Sequence, residues 1–370
     1  MEFDCTVIIP TLNEEATIVF TIQKVQEIVK QENLNAQILI VDDNSADKTI
    51  FLINELRFNQ KNVNLIIRQR DHGLSQSIVE GFTKADSDIY IVMDADGQHP
   101  AEKIPELYRK IKEGNDIVIG SRYMKGGEIK NWSGERKVIS WGATFLARLF
   151  FPNITDPVSG FFAVRREVVL NAPLKPQGYK ILLEVLGKGH WESVEEIPFT
   201  FGARENGASK LKEKTIVEFA KQVIELAGFA LRNRNSPAHA EIHRAIKFMV
   251  VGLTGIVVNV GFLVLLTEGF GLYYLLSSLV GIEASIISNY LLNDFWTFGD
   301  IGKNKYSWVS RLVRFHAVSV TGILINLSTL YLLTTVFGIY YIVSNLVGIA
   351  LAFAWNFLVN RKYTWQKIST

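Results

Sequence analysis

The strongest constraint on this chain lies in its last third. Four apolar stretches, roughly residues 246–267, 273–292, 314–337 and 340–358, each come near the ~20 residues that a bilayer-spanning helix needs. They are two copies of one pattern. RAIKFMVVGLTGIVVN (244–259) aligns with RLVRFHAVSVTGILIN (311–326) at an offset of 67, and the same offset pairs FGLYYLLSSLVGI (270–282) with FGIYYIVSNLVGI (337–349) without a gap. The repeated unit is a helical hairpin. Because each copy has an even number of spans, both enter and leave on the same side, which makes them parallel repeats about an axis along the membrane normal. Arg232, Arg234, Arg244 and Lys247 precede the first span; Lys303, Lys305, Arg311 and Arg314 sit between the hairpins; Arg361, Lys362 and Lys367 follow the fourth. The two short hairpin loops carry no basic residue, so the positive-inside rule puts the N-terminal part, the middle loop and the C-terminus in the cytoplasm.

Up to about Gly207, charged and apolar residues mix as in a soluble domain. At 370 residues the chain exceeds what one core usually holds, and the expected organisation is a soluble domain over 1–212, an amphipathic juxtamembrane linker over 213–243 and a transmembrane domain over 244–370. A net charge of +2 argues against a nucleic-acid partner, which would want a clustered basic face. Cys5 is the only cysteine, so no intrachain disulfide forms, and acidic Glu2 and Asp4 before the strand-like CTVIIP are unlike a signal peptide. The first domain is expected in the cytosol.

Within that domain, short β-branched runs alternate with amphipathic helical ones: CTVIIP, a helix to Lys30, QILIVDD, a helix over 47–58, NLIIR, a helix from Leu74, IYIVMDAD, a helix from Glu102 to Glu113, and DIVIGSR. The pattern predicts a mostly parallel sheet with helices on both faces, and ligands bind at the carboxyl ends of such strands. The Gly-rich GGEIKNWSGERK then reads as a mobile loop, followed by a helix over Val138 to Phe150. Lys214 to Arg234 is amphipathic and suits either a membrane surface or packing on the soluble domain.

The sharpest motif is Asp94-Ala95-Asp96 with Gln98 behind it, at the end of an apolar strand. Strand alternation would let Asp94, Asp96 and Gln98 converge, and their oxygens suit Mg²⁺ or Mn²⁺ bridging to a diphosphate; the plainer alternative is an acidic turn bonded to its own backbone. Glu14 and the pair Asp42 and Asp43 end two further strands, where carboxylates suit ribose hydroxyls or base N–H groups, or cap the next helix; capping is the reading for Asp47. Arg122, Arg136, Arg204 and Lys210 fall in loops bordering this crevice, where a guanidinium fork suits phosphate oxygens.

Taken in order, IIPTLNE, VDDNSADKT, DADGQHP, GSRYMKGGEIKNWSGERKVIS, DPVSGFFAVRR and FTFGARENGASKL resemble the dolichol-phosphate mannose synthases of glycosyltransferase family 2, over nearly all of 1–212. The repeated hairpins resemble the GtrA-like four-helix membrane domain fused to such enzymes. The resemblance implies a GT-A type (Rossmann-like) α/β catalytic domain that transfers mannose from GDP-mannose to dolichyl or polyprenyl phosphate, with Mg²⁺ or Mn²⁺ as cofactor. By the same resemblance Pro10, Leu12, Glu14, Val41 and Asp43 line the nucleoside. Asp94, Ala95, Asp96 and Gln98 hold metal and diphosphate; Arg122, Arg204 and Lys210 contact donor phosphates or the reacting centre; Arg136 and Ser140, together with Arg122, receive the lipid phosphate. Leu12 departs from the tyrosine common there, which removes an aromatic contact to the nucleotide. Two alternatives stand beside this reading. One is a polyprenol-phosphate glucosyltransferase using UDP-glucose. The other is a glycolipid flippase, to which intramembrane Glu283, Asn259 and Asn326 would contribute.

Overall fold

A computed structural model describes residues 3–130, 134–175, 179–202, 213–233, 235–236, 238–299, 306–339 and 341–365. The chain divides into two compact units, Met1–His239 and Ala240–Thr370.

The first unit alternates strand and helix as its apolar periodicity predicts: β1 (Cys5–Thr11), α1 (Ile18–Gln31), β2 (Ala36–Asp42), α2 (Thr49–Asn59), β3 (Val63–Ile67), α3 (Leu74–Lys84), β4 (Ile89–Val92), α4 (Ile104–Lys112) and β5 (Ile117–Ser121). Then come β6 (Glu128–Ile129), α5 (Gly134–Ala147), β7 (Phe162–Arg165), α6 (Arg166–Leu170), α7 (Ile181–Lys188), β8 (Val194–Pro198), β9 (Thr200–Phe201) and α8 (Glu213–Arg232). Seven strands form one sheet in the order β3-β2-β1-β4-β7-β5-β8, and β7 alone runs antiparallel to its neighbours. The chain winds outward from β1 to β3, then returns to lay β4 on the other side of β1. That reversal leaves adjacent strand ends diverging, the place where open α/β sheets form a ligand crevice. Central β1 and β4 are buried on both faces, hence their mainly apolar, β-branched sequences.

One expectation needs correction, and one of two alternatives is met. The Gly-rich stretch is not loop throughout, since Glu128 and Ile129 pair in parallel with Thr200 and Phe201, and α5 begins at Gly134. The amphipathic α8 packs one face on its own unit: Leu226 and Ala230 are buried, Leu226 fills the space above Gly187, and Gln222 Nε2 donates to the Lys180 carbonyl at 2.9 Å. Ile224, 71% exposed, points away from that packing.

The second unit contains α9 (His239–Val264), α10 (Tyr274–Leu292), α11 (Trp308–Tyr331) and α12 (Tyr341–Val359). With their C-terminal extensions, the stretches His239–Gly269 and Trp308–Val336 are long and apolar enough to cross a membrane. The other two helices have 19 residues each, about 28 Å at 1.5 Å per residue, close to the thickness of a hydrocarbon core. The sequence repeat is also a packing repeat. Each helix ends in a π-helical turn, Leu265–Gly269, Asn293–Thr297, Leu332–Val336 and Asn360–Thr364, and these fall in pairs one repeat apart. Gly255 lies against Asn289, where an added Cβ would come 2.5 Å from Nδ2, and its counterpart Gly322 lies against Asn356 at 2.6 Å from Oδ1. Gly281 and Gly348 abut the carbonyls of Asn259 and Asn326 in the same way, at 2.7 and 2.9 Å. Small residues let helices approach closely where apolar surroundings supply no hydrophobic drive.

Candidate active site

Parallel neighbours end on the same side, so the loops after β1, β2 and β4 meet. Asn13 and Asn44 turn the first two with positive φ (54° and 65°), a conformation asparagine tolerates better than most residues. The two loops are then tied together: Asn13 N donates to Ser45 Oγ (2.8 Å), Glu14 N to Thr49 Oγ1 (2.9 Å), Glu15 N to Asp47 Oδ2 (3.2 Å), Ala46 N to Asn13 Oδ1 (2.9 Å) and Lys48 N to Glu15 Oε2 (3.0 Å). Asp47 also accepts from Thr49 N at 2.9 Å, at the start of α2.

Asp42 and Asp43 differ sharply. Asp42 is fully buried and accepts from Ser45 N, Ser45 Oγ and Thr11 Oγ1 at 2.7, 2.6 and 3.1 Å, so it shapes the turn and offers nothing to a ligand. Asp43 Oδ1 takes Arg68 Nη1 at 2.7 Å and His72 Nδ1 at 3.0 Å, while Oδ2 takes Gly73 N at 2.7 Å. One lone pair on Oδ2 remains for a ligand donor. Pro10 and Val41 pair across β1 and β2 and are buried; Leu12 is 40% exposed at the mouth.

The acidic motif does not continue the strand. β4 stops at Val92, and Asp94 to Gln98 form a turn in which Gly97 takes φ 73° and Gln98 N donates to Asp96 Oδ1 at 3.1 Å. Convergence by strand alternation therefore fails. Gln98 is buried, with its Nε2 on the Gly202 carbonyl at 2.9 Å, so it fastens the turn to the end of β9. Asp94 and Asp96 keep partly exposed carboxylates. Gly160 stands over Asp94, and a Cβ there would approach Asp94 Oδ2 to 3.3 Å, into the space a bound ion would share. Two hard-oxygen carboxylates with that clearance fit a divalent ion completed by diphosphate oxygens and water. No cluster of three His, Cys, Asp or Glu side chains that could hold a metal occurs among the described residues. A separate cavity of about 240 Å³ lies on the α1 side of the turn, lined by Phe20, Thr21, Met93 and Ala101 among others; Asp94 and Asp96 do not line it.

His99 supports this turn from behind. Its Nδ1 accepts the Asp94 backbone N–H at 2.9 Å, which leaves the proton on Nε2, 3.8 Å from Asp94 Oδ2. The ring stacks on Phe161 at 5.1 Å and meets the edges of Phe199 and Phe201. Burial disfavours its charged form and lowers its pKa from 6.5 to about 4. At neutral pH it is an uncharged strut.

Arg122 follows β5 and is 7% exposed. Its Nε and Nη2 donate to the two oxygens of fully buried Asp156 at 2.8 and 2.9 Å, and its backbone N donates to Oδ2 at 3.1 Å. Glu196 holds the Asp156 loop, accepting from Thr155 N, Thr155 Oγ1 and Asp156 N at 2.7, 2.8 and 3.0 Å. Arg122 is thus a pre-positioned buried cation beside the rings of Tyr123 and Phe201. Tyr123 reaches on to Ser140, hydroxyl to hydroxyl, at 3.1 Å. Arg136 lies four positions before Ser140 on α5, and its side chain falls outside the described residues. Arg204 and Lys210 lie outside the described residues. His99, Asp156, Arg68 and Gly160 escaped sequence reasoning, although His99, Gly160 and Asp156 stand inside the motifs DADGQHP and DPVSGFF.

Residues 6–171 match glycosyl transferase family 2, and residues 247–365 match the GtrA/DPMS transmembrane domain. A dolichol-phosphate mannosyltransferase of Pyrococcus furiosus is 43% identical over 363 residues, 97% of this chain and 99% of that protein. A dolichol-phosphate mannosyltransferase of Mycosarcoma maydis is 35% identical over 61% of this chain and 79% of its own length. A polyprenol monophosphomannose synthase of Mycolicibacterium smegmatis is 34% identical over 59% of this chain and 85% of its own. An acidic turn at the switch point of an α/β sheet, a buried arginine beside it and a relative aligned end to end agree: this chain belongs to the dolichol-phosphate mannosyltransferases of glycosyl transferase family 2 that carry a GtrA/DPMS transmembrane domain.

Proposed function

We propose that the protein transfers mannose from GDP-mannose to the phosphate of a dolichol or polyprenol, with inversion at the anomeric carbon. The observation that carries this reading is the end-to-end relationship to a protein named for that activity, joined to a crevice with an acidic turn on one side and an arginine on the other. A phosphate monoester has a second pKa near ~6, so the acceptor oxygen is already nucleophilic at neutral pH and no general base is needed. The residues instead bind and orient. Asp94 and Asp96 would hold Mg²⁺ or Mn²⁺ against the diphosphate, and such an ion supplies charge neutralisation for the departing GDP. Arg122, locked by Asp156, stands where negative charge gathers between the two phosphates, a fixed countercharge that needs no reorganisation during transfer. Arg136 and Ser140 receive the acceptor phosphate beside Tyr123. Glu14, Leu12 and the free lone pair of Asp43 face the nucleoside; Arg204 and Lys210 complete the phosphate contacts. The spans anchor the chain, with the catalytic unit and both termini cytoplasmic by the distribution of Lys and Arg. The test is turnover of the purified protein with labelled GDP-mannose or UDP-glucose, each with and without polyprenyl phosphate. Transfer from GDP-mannose only when the lipid phosphate is present is expected; preference for UDP-glucose would reassign the donor.

A further inference from the structure

The first turns of α9 and α11 and the last turns of α10 and α12 gather basic residues at one end of the membrane unit, where most of them are neutralised. Arg311 donates Nε and Nη2 to the two oxygens of Asp294 at 3.0 and 2.8 Å. Arg244 and Arg361 share Glu241 Oε1 at 2.6 and 2.7 Å. Arg314 differs, for no carboxylate among the described residues pairs with it, and aromatic rings hold it instead. Its Cζ lies 3.8 Å from the ring centre of Tyr306, just before α11, and 4.1 Å from that of Tyr363, in the π-helical turn that ends α12. Thr364 Oγ1 closes that turn on Asn360 Oδ1 at 2.7 Å. Arg314 Nε donates to Ser310 Oγ at 3.4 Å and Nη1 to the Tyr363 carbonyl at 3.5 Å, both long contacts. A guanidinium has five N–H groups, so three, including both on Nη2, have no acceptor among the described residues. Held against two rings and open along that edge, the planar fork suits two oxygens of a phosphate.

Because the unit is duplicated, the other hairpin serves as a control. One repeat back, Arg314 becomes Lys247, Tyr363 becomes Trp296 and Tyr306 becomes His239. Lys247 keeps the ring contact, 5.7 Å to Trp296, and the carbonyl contact, Nζ to Trp296 O at 3.4 Å. What is duplicated is a cation packed on the aromatic residue that ends its hairpin; the second tyrosine and the planar fork occur in the second copy alone. The surroundings indicate what carries the anion. Val309 and Val313, on the first turns of α11, are 63% and 64% exposed, and both lie inside the match to a transmembrane domain. An anion held at Arg314 is flanked by apolar surface that suits an acyl chain, and basic residues at the end of an apolar span favour anionic headgroups.

We propose that Arg314, clamped by Tyr306 and Tyr363, binds the phosphate of an anionic diacyl phospholipid at the membrane surface. The site uses none of the residues assigned to mannose transfer. The test titrates the full chain, in micelles of a nonionic detergent, with phosphatidylglycerol or phosphatidylcholine of the same acyl chains, and native mass spectrometry counts the lipid retained. Phosphatidylglycerol should be held at least about fivefold more tightly, the scale of one basic residue meeting an anionic headgroup. Arg314→Gln should remove that preference. Arg314→Lys, which keeps the charge but not the fork, should remove most of it and keeps the test alive if the first variant misfolds. Lys247→Gln, the matching change in the other hairpin, should leave most of it. Equal retention of the two lipids by the unaltered chain overturns the proposal. So does a preference that survives both Arg314 variants, or one lowered as much by Lys247→Gln, since the charge of the helix ends and not the clamped fork would then attract the lipid. Displacement by equimolar inorganic phosphate, or tighter retention of polyprenyl phosphate than of phosphatidylglycerol, overturns the assignment to a diacyl phospholipid.

Discussion

Replacing Asp156 by leucine should damage the protein twice over, and a second substitution should separate the two effects. Arg122 and Asp156 are 7% and 0% exposed, and the carboxylate takes three hydrogen bonds from that one residue. Removing it strands a guanidinium away from water, which typically costs about 3–5 kcal/mol. For a unit of this size that corresponds to a melting transition lowered by roughly 10 °C. Arg122→Met together with Asp156→Leu removes both charges and should recover most of the loss, because a well-packed apolar pair often replaces a buried ion pair without penalty. Activity should not recover, since the countercharge proposed for the two phosphates is then gone. Differential scanning fluorimetry of the detergent-purified chain, alongside labelled mannose transfer, reads both quantities. If the double variant melts as low as the single one, the cost does not come from a stranded charge. If it transfers mannose at the normal rate, Arg122 has no part in the chemistry.

Asp96→Ala should abolish transfer, and the unaltered protein should need Mg²⁺ or Mn²⁺; full turnover in excess chelator would remove the metal from the reaction. Arg136→Ala should raise the acceptor KM about tenfold or more while GDP affinity by calorimetry holds, the loss of one charge-assisted contact of roughly 1.5–3 kcal/mol; the reverse pattern would move Arg136 to the donor side. The depressed pKa of His99, about 4 against 6.5, makes the unfolded chain the better proton binder between those values, so its stabilising contribution is complete above pH 6.5 and lost as pH falls toward 4. At pH 5 the loss should approach roughly 2 kcal/mol at 1.4 per pH unit, read as a steeper fall in melting temperature than His99→Gln shows; parallel curves would mean the ring is not held neutral.

Sheet class, switch point and duplicated hairpins were legible because each rests on periodicity or self-similarity that survives in one dimension. The carboxylates at the ends of β1, β2 and β4 were visible for the same reason. What escaped were pairings between distant segments. Nothing local distinguishes Asp42, which is used up by its own turn, from Asp43, which faces the crevice while pairing with Arg68. Asp156 and Arg122 lie 34 positions apart, and only the antiparallel insertion of β7 beside β5 brings them together. Gln98 reads as a ligand by composition, and nothing local foretells that its Nε2 also fastens the turn to Gly202, which follows β9. Two-residue strands such as β6 and β9 are too short to leave a pattern.

The five hydrogen bonds that lace the loop after β1 to the loop after β2 have a consequence for how the crevice opens. Loops bonded mainly to their own strands fray independently, whereas these two share donors and acceptors and must open together or not at all. Their amides, Asn13, Glu14, Glu15, Ala46 and Lys48, should exchange with solvent as one cooperative group, slower than exposed loops elsewhere in the same unit. The nucleoside that the proposed function brings there would meet a surface whose ordering entropy was lost when the chain folded, so little conformational freedom would remain to be given up on binding.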